Sequence, residues 1–159
     1  MICKVLKKKI SPFMSFGKMP IANGFIEKKD FKKEYFYNME VGFSEDLSLF
    51  QLNDHPKPEE MFNDSYPFFS SSSEYMKNHF REYANFIKKD ILKNKSRIVE
   101  IGSNDGTLLK NFLGDDKNVI GFEPSKNVAL KAQKNSVPTL NEFFNLNNVK
   151  NLKDYLGKT

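Results

Sequence analysis

The residues best suited to chemistry sit in one stretch, Glu100-Ile-Gly-Ser-Asn-Asp-Gly-Thr-Leu-Leu109. Gly102 and Gly106 frame a turn in which glycine permits positive φ and lets a ligand approach the main chain without a Cβ in the way. The helix start expected after the turn offers free N–H groups and a partial positive charge. Asn104 and Asp105 add polar side chains at its mouth. Glu123 follows 21 residues after Gly102, at the end of an expected strand, where a carboxylate can accept hydrogen bonds from both hydroxyls of a ribose. Asn141-Glu142-Phe143-Phe144 follows a third expected strand and can offer polar and aromatic groups to an adenine. Together these features predict a site for an adenosine-type ligand.

The turn also discriminates among such ligands. A dinucleotide fingerprint has Gly-x-Gly-x-x-Gly, which brings main chain close to a pyrophosphate. Here Ser103, Asn104 and Asp105 fill the interior, and Asp105 would place negative charge beside that group. A carboxylate suits an ammonium instead. The electrostatics therefore favour S-adenosylmethionine over NAD, with a NAD-type fragment as the alternative.

These residues need a scaffold of alternating strands and helices. Arg97–Ile101 has a buried-strand pattern, Thr107–Leu113 a short helix closed by Gly114, and Asn118–Glu123 a second strand. Ser125–Asn135 follows as a helix with Val128, Leu130 and Ala132 among its apolar positions, and Val137–Leu140 as a third strand. Such alternation implies a parallel sheet. Upstream, Ser71 and Glu74 form a capping-box pattern, and Met76, Phe80, Tyr83, Ile87 and Ile91 make one apolar helical stripe. Residues 1–65 read as a small strand-and-loop unit, with extended stretches at Tyr35–Phe43 and Leu47–Leu52. Turn signals include Gly17, Pro20 and Asn23-Gly24. Its aromatic residues, Phe13, Phe16, Phe25, Phe31, Tyr35, Phe36, Tyr37, Phe43 and Phe50, are expected to fill a core.

The expected organisation is thus a β-rich unit at 1–65, a connecting segment with a long helix at 66–95, and an incomplete nucleotide-binding α/β unit at 96–159. The 159 residues carry a net charge of +5, but the first seventy hold ten basic and ten acidic side chains. Of the 25 basic residues only Arg81 and Arg97 are arginine, and bidentate recognition of phosphates and bases leans on arginine. Nucleic acid is not an expected partner. Neither is a membrane, since no apolar run nears the roughly 20 residues that a spanning helix needs; a cytoplasmic protein is expected. One cysteine, Cys3, and two distant histidines, His55 and His79, offer no multi-ligand metal pattern.

The motifs VEIGSNDGTLL, GFEPSKNVALKA and VPTLNEFF resemble the cofactor half of the class I, S-adenosylmethionine-dependent sugar C-methyltransferases, which act on nucleotide-linked deoxyhexoses. FMSFGKMPIANGF, YFYNMEVGF, LFQL and MFNDSYPFFSSSSEYMKNHF are similar to that family's N-terminal zinc-binding-type domain and the entry to its core. The resemblance implies a Rossmann-like sheet. It places Gly102, Asn104, Asp105 and Gly106 on the cofactor loop, Glu123 on the ribose, and Glu142 with Phe143 at the adenine. It brings Tyr66 toward the catalytic centre and implies a nucleotide-sugar substrate.

Two departures accompany the resemblance. Where the family has two Cys-x-x-Cys pairs, this chain has Cys3 and Leu6, then Ser44 and Leu47. No zinc is expected, and an apolar contact between the two leucines is expected in its place. The family also continues beyond the position of Thr159 with a fourth strand and a catalytic histidine. The chain alone is therefore expected to be inactive, with a completing C-terminal half as partner. A non-catalytic binding module remains the alternative.

Overall fold

The computed structural model describes residues 1–93, 96–114, 118–150 and 152. Two compact units emerge, Met1–Met61 and Phe62–Thr159.

In the first unit, β1 (Pro12–Pro20), β2 (Phe36–Ser44) and β3 (Leu49–Leu52) form an antiparallel sheet in that order. Gly17, expected to break the chain, instead lies within β1 at φ 71°, where the register between Ser15 and Lys18 shifts. Glycine supplies the left-handed residue that such a bulge requires. The second extended stretch starts at Leu49 and not Leu47, because Glu45–Leu47 forms a 3-10 turn ended by Ser48 at φ 48°. A single helical turn, α1 (Pro58–Met61), closes the unit.

The aromatic residues do not fill a core here. Phe13, Phe16, Phe25, Phe31, Phe36 and Phe50 are all exposed, Phe25 at 77%. A three-stranded sheet is one layer, and a layer buries side chains only against a second one. What forms instead is a surface cluster, with Phe50 edge-on to Phe13 at 5.2 Å and tilted against Phe43 at 4.8 Å.

In the second unit, α2 (Glu74–Asp90) is capped by Ser73, whose hydroxyl accepts from the Met76 N–H at 3.3 Å. The expected cap, Ser71, belongs to a preceding 3-10 turn and gives its N–H to Asp105. The inward stripe is also rotated from expectation. Ala84 is fully buried, whereas Tyr83 and Ile91 are exposed. Met76, Phe80, Ala84 and Ile87 satisfy the same helical period, and alanine permits closer packing than tyrosine.

Three parallel strands follow in the order β4 (Arg97–Ile101), β5 (Asn118–Phe122) and β6 (Thr139–Leu140). β4 lies at the end of the sheet, and its pattern alternates: Ile98 and Glu100 are half-buried, Val99 and Ile101 exposed. A strand buried on both faces is therefore found at β5 and not at β4. β6 is shorter than expected because Pro138 has no N–H to give; its carbonyl still accepts from Gly121 at 2.9 Å.

The expected helix at Thr107–Leu113 is a 3-10 turn, Leu109–Phe112. The Asn111 side chain donates back to the Thr107 and Leu108 carbonyls and competes with regular helix. Gly114 ends the turn at φ 84°. α3 (Lys126–Lys134) buries Val128, Ala129 and Ala132 but leaves Leu130 exposed. A last turn, α4 (Leu146–Val149), follows, and residues 153–159 lie outside the described ones. The core joins Ala84 of α2, Leu109 and Phe112, Val119 of β5, Ala132 of α3, and Val137. No helix among the described residues is long and apolar enough to cross a membrane.

Candidate functional site

The end of β4 and the end of β5 carry the loops that meet at the site. Gly102 has φ 70° and no atom within 4 Å of where a Cβ would stand, so its main chain is open. Its N–H and that of Ser103 both donate to the Phe122 carbonyl, at 2.8 and 3.0 Å, fixing the turn to β5. Gly121 below it must be glycine, since a Cβ there would collide with the Ser103 hydroxyl. Gly106, at φ 75°, has a different reason: a Cβ would press on the Val137 side chain at 2.9 Å.

Glu123 is buried at the end of β5. Its two carboxylate oxygens accept from the Asn104 N–H at 3.0 Å and the Ser125 N–H at 2.8 Å. A carboxylate has about four acceptor positions, so two remain for a ligand. Asn141 donates to the Glu123 and Pro124 carbonyls and secures the loop from the β6 side.

Above these groups lies a hollow of about 310 Å³, at the lower end of the roughly 300–1,000 Å³ typical of ligand pockets. Gly102, Asn104 and Glu123 supply its polar side, and Phe62, Tyr66 and Phe143 its aromatic walls. Phe62 stands 5.7 Å from Tyr66 and 6.4 Å from Phe143. The structure thus brings together five of the expected site residues: Tyr66, Gly102, Asn104, Glu123 and Phe143. It does not bring Asp105, Gly106 or Glu142 to the lining. Glu142 is exposed to solvent.

Asp105 is only 1% exposed and is engaged by protein donors, the Ser71 N–H at 3.0 Å and the Thr107 hydroxyl. Burial pushes its carboxyl up, but the hydrogen bonds from Ser71 and Thr107 outweigh that and hold it below the usual range. Asp105 is expected to pair with a ligand ammonium; in the structure its side chain lies off the lining of the hollow and is bonded to Ser71 and Thr107.

Sequence reasoning missed Glu100. Its Oε2 is buried without a hydrogen-bond partner. Burial, followed by the charges of Asp105 and Glu123, raises its carboxyl to about 7. The available signal was a lone acid in an apolar strand, two residues before the first glycine. The neighbouring charges of Asp105 and Glu123 thus disfavour ionisation of Glu100 and keep it protonated to higher pH than a free carboxyl.

The first unit has its own buried polar centre. Cys3 is fully buried, and its Sγ accepts from the Leu6 N–H at 3.3 Å and the Gln51 Nε2 at 3.1 Å. These donors, Gln51 foremost, lower its thiol to about 7. Ser44, also buried, contributes a further hydrogen bond to it. Directional bonds to sulfur therefore hold this turn, where an apolar contact between Leu6 and Leu47 is expected.

Residues 2–62 match a family model described as "Putative zinc binding domain", which supports a methyltransferase-associated N-terminal domain. A search of curated proteins finds no match. The donor set does not fit zinc. One thiol and one hydroxyl stand where four thiolates are needed. Among the described residues no group of three or more His, Cys, Asp or Glu is placed to hold a metal ion.

Proposed function

We propose that this chain is the N-terminal domain and donor-binding portion of an S-adenosylmethionine-dependent methyltransferase, of the type that C-methylates a nucleotide-linked sugar. The observation that carries the reading is Glu123 at the end of a parallel strand, lining an aromatic-walled hollow together with the open main chain of Gly102. In a Rossmann-like sheet such a place receives a nucleoside. The free acceptor positions of Glu123 take the ribose hydroxyls, Phe143 and Tyr66 flank the adenine, and the carboxylate of Glu123 on the lining favours a cationic ligand such as the sulfonium. The match of residues 2–62 to a methyltransferase-associated domain supports the same reading.

In the reaction, a sugar carbon made acidic by an adjacent carbonyl loses a proton and attacks the sulfonium methyl in line. Donor and acceptor held together supply much of the acceleration. The proton acceptor is not assigned to these residues, so turnover belongs to this portion together with a completing C-terminal half. Isothermal titration of the chain with S-adenosylhomocysteine tests the donor site. One-to-one binding that is lost in Glu123→Ala is expected, and NADH should not compete. A folded chain that takes up no S-adenosylhomocysteine overturns the reading.

A further inference from the structure

The aromatic wall of the hollow is carried by a segment with no regular structure of its own. It is nevertheless fixed at four main-chain atoms. Asn127 Nδ2, on the first turns of α3, donates to the Tyr66 carbonyl at 2.8 Å. Asn104 Nδ2 donates to the Phe68 carbonyl at 3.1 Å, and Asn104 Oδ1 accepts from the Ser70 N–H at 2.8 Å. Asp105 Oδ2 accepts from the Ser71 N–H at 3.0 Å. Between these anchors Tyr66 packs against Phe62 at 5.7 Å and edge-on to Phe68 at 5.6 Å.

We propose that Asn104 and Asp105 are positioning residues, which strap Phe68–Ser71 to the glycine loop and so hold Tyr66 and Phe62 over the hollow. The reason is an accounting of polar atoms. The side-chain amide of Asn104 gives its donor and its acceptor to the strap, and its main-chain N–H goes to Glu123. One residue therefore ties the aromatic wall to the carboxylate opposite it. Asp105, buried and facing Ser71 and Thr107, has no oxygen on the lining. Without these two side chains, three main-chain groups, the Phe68 carbonyl and the Ser70 and Ser71 N–H groups, lose their partners. The consequence for ligand binding rests on the donor-site reading above; the strap itself does not.

The test uses the full chain with Asn104→Gly, Tyr66→Ala and the double variant. Glycine accepts the φ of 49° at this position, so the main-chain bond to Glu123 is kept. Hydrogen exchange at Ser70 and Ser71 should rise in Asn104→Gly while the amides of β5 stay protected. Loss of two hydrogen bonds should weaken S-adenosylhomocysteine binding about tenfold. Tyr66→Ala should weaken it similarly, and the double variant no further, because both act through one wall. Asn104→Asp, which keeps the acceptor for Ser70, should recover part of the affinity. Unchanged exchange at Ser70 and Ser71 overturns the strap. Additive losses in the double variant overturn the positioning role, since Asn104 would then touch the ligand itself. If the wild-type chain takes no S-adenosylhomocysteine, the donor reading falls and exchange at Ser70 and Ser71 alone decides.

Discussion

Glu100 stores a pH response. Its carboxyl, ordinarily near 4.5, is raised to about 7 in the folded chain. Between those values the folded state holds a proton that the unfolded state has released. Stability therefore falls as pH rises through that window and is not penalised by this group below it. The gap corresponds to at most about 3.5 kcal/mol, at roughly 1.4 kcal/mol per unit. Glu100→Gln should be more stable than the wild-type chain at pH 8, with the difference vanishing near pH 4, in denaturant melts at both values. Asp105 has the opposite sign: its lowered carboxyl contributes stability that is lost as pH falls. The contrast marks what a sequence can disclose. Glu123 was legible because its distance from Gly102 along a strand-turn-strand path fixes its place. The role of Asp105 was not, because its partner Ser71 lies 34 residues away and arrives only through tertiary packing.

Among the elements, α2 shows where periodicity reaches its limit. The 3.6-residue repeat identified the helix, but Tyr83 and Ala84 both fit it, and only the neighbouring layer selects between them. Ala84 lies against Phe112 and Val119 in the core, so Ala84→Leu should cost about 1–3 kcal/mol by overpacking. Tyr83→Ala should cost under about 0.5 kcal/mol, as an exposed site away from any special feature. Ser73→Ala should cost about 1 kcal/mol through the lost cap. Thermal melts of the three variants check the ordering. The strands follow the same logic. Their positions were readable from β-branched runs between glycines, whereas the shortening of β6 depended on one proline in the ladder. The bulge that lets β1 run through Gly17 was invisible to local turn chemistry, because it needs β2 alongside.

For the whole chain, the first unit keeps the outline of a metal-binding domain with different chemistry inside. Cys3, Ser44 and Gln51 occupy its buried polar centre. Purified protein should carry well under one zinc per chain, and a chelator should leave its melting temperature unchanged. Gln51→Ala should lower that temperature, because the Sγ loses one of its two closest donors. Zinc at one per chain by elemental analysis, released with loss of structure, would refute this.

The alternation along β4 leaves Val99 and Ile101 facing water on one side, while Glu100 faces the interior between them. Natural drift in such a ribbon is expected to be lopsided. Val99 is free to become polar at little penalty, while Ile101 also lines the hollow and the acid between them is answerable to the charges in the neighbouring loops.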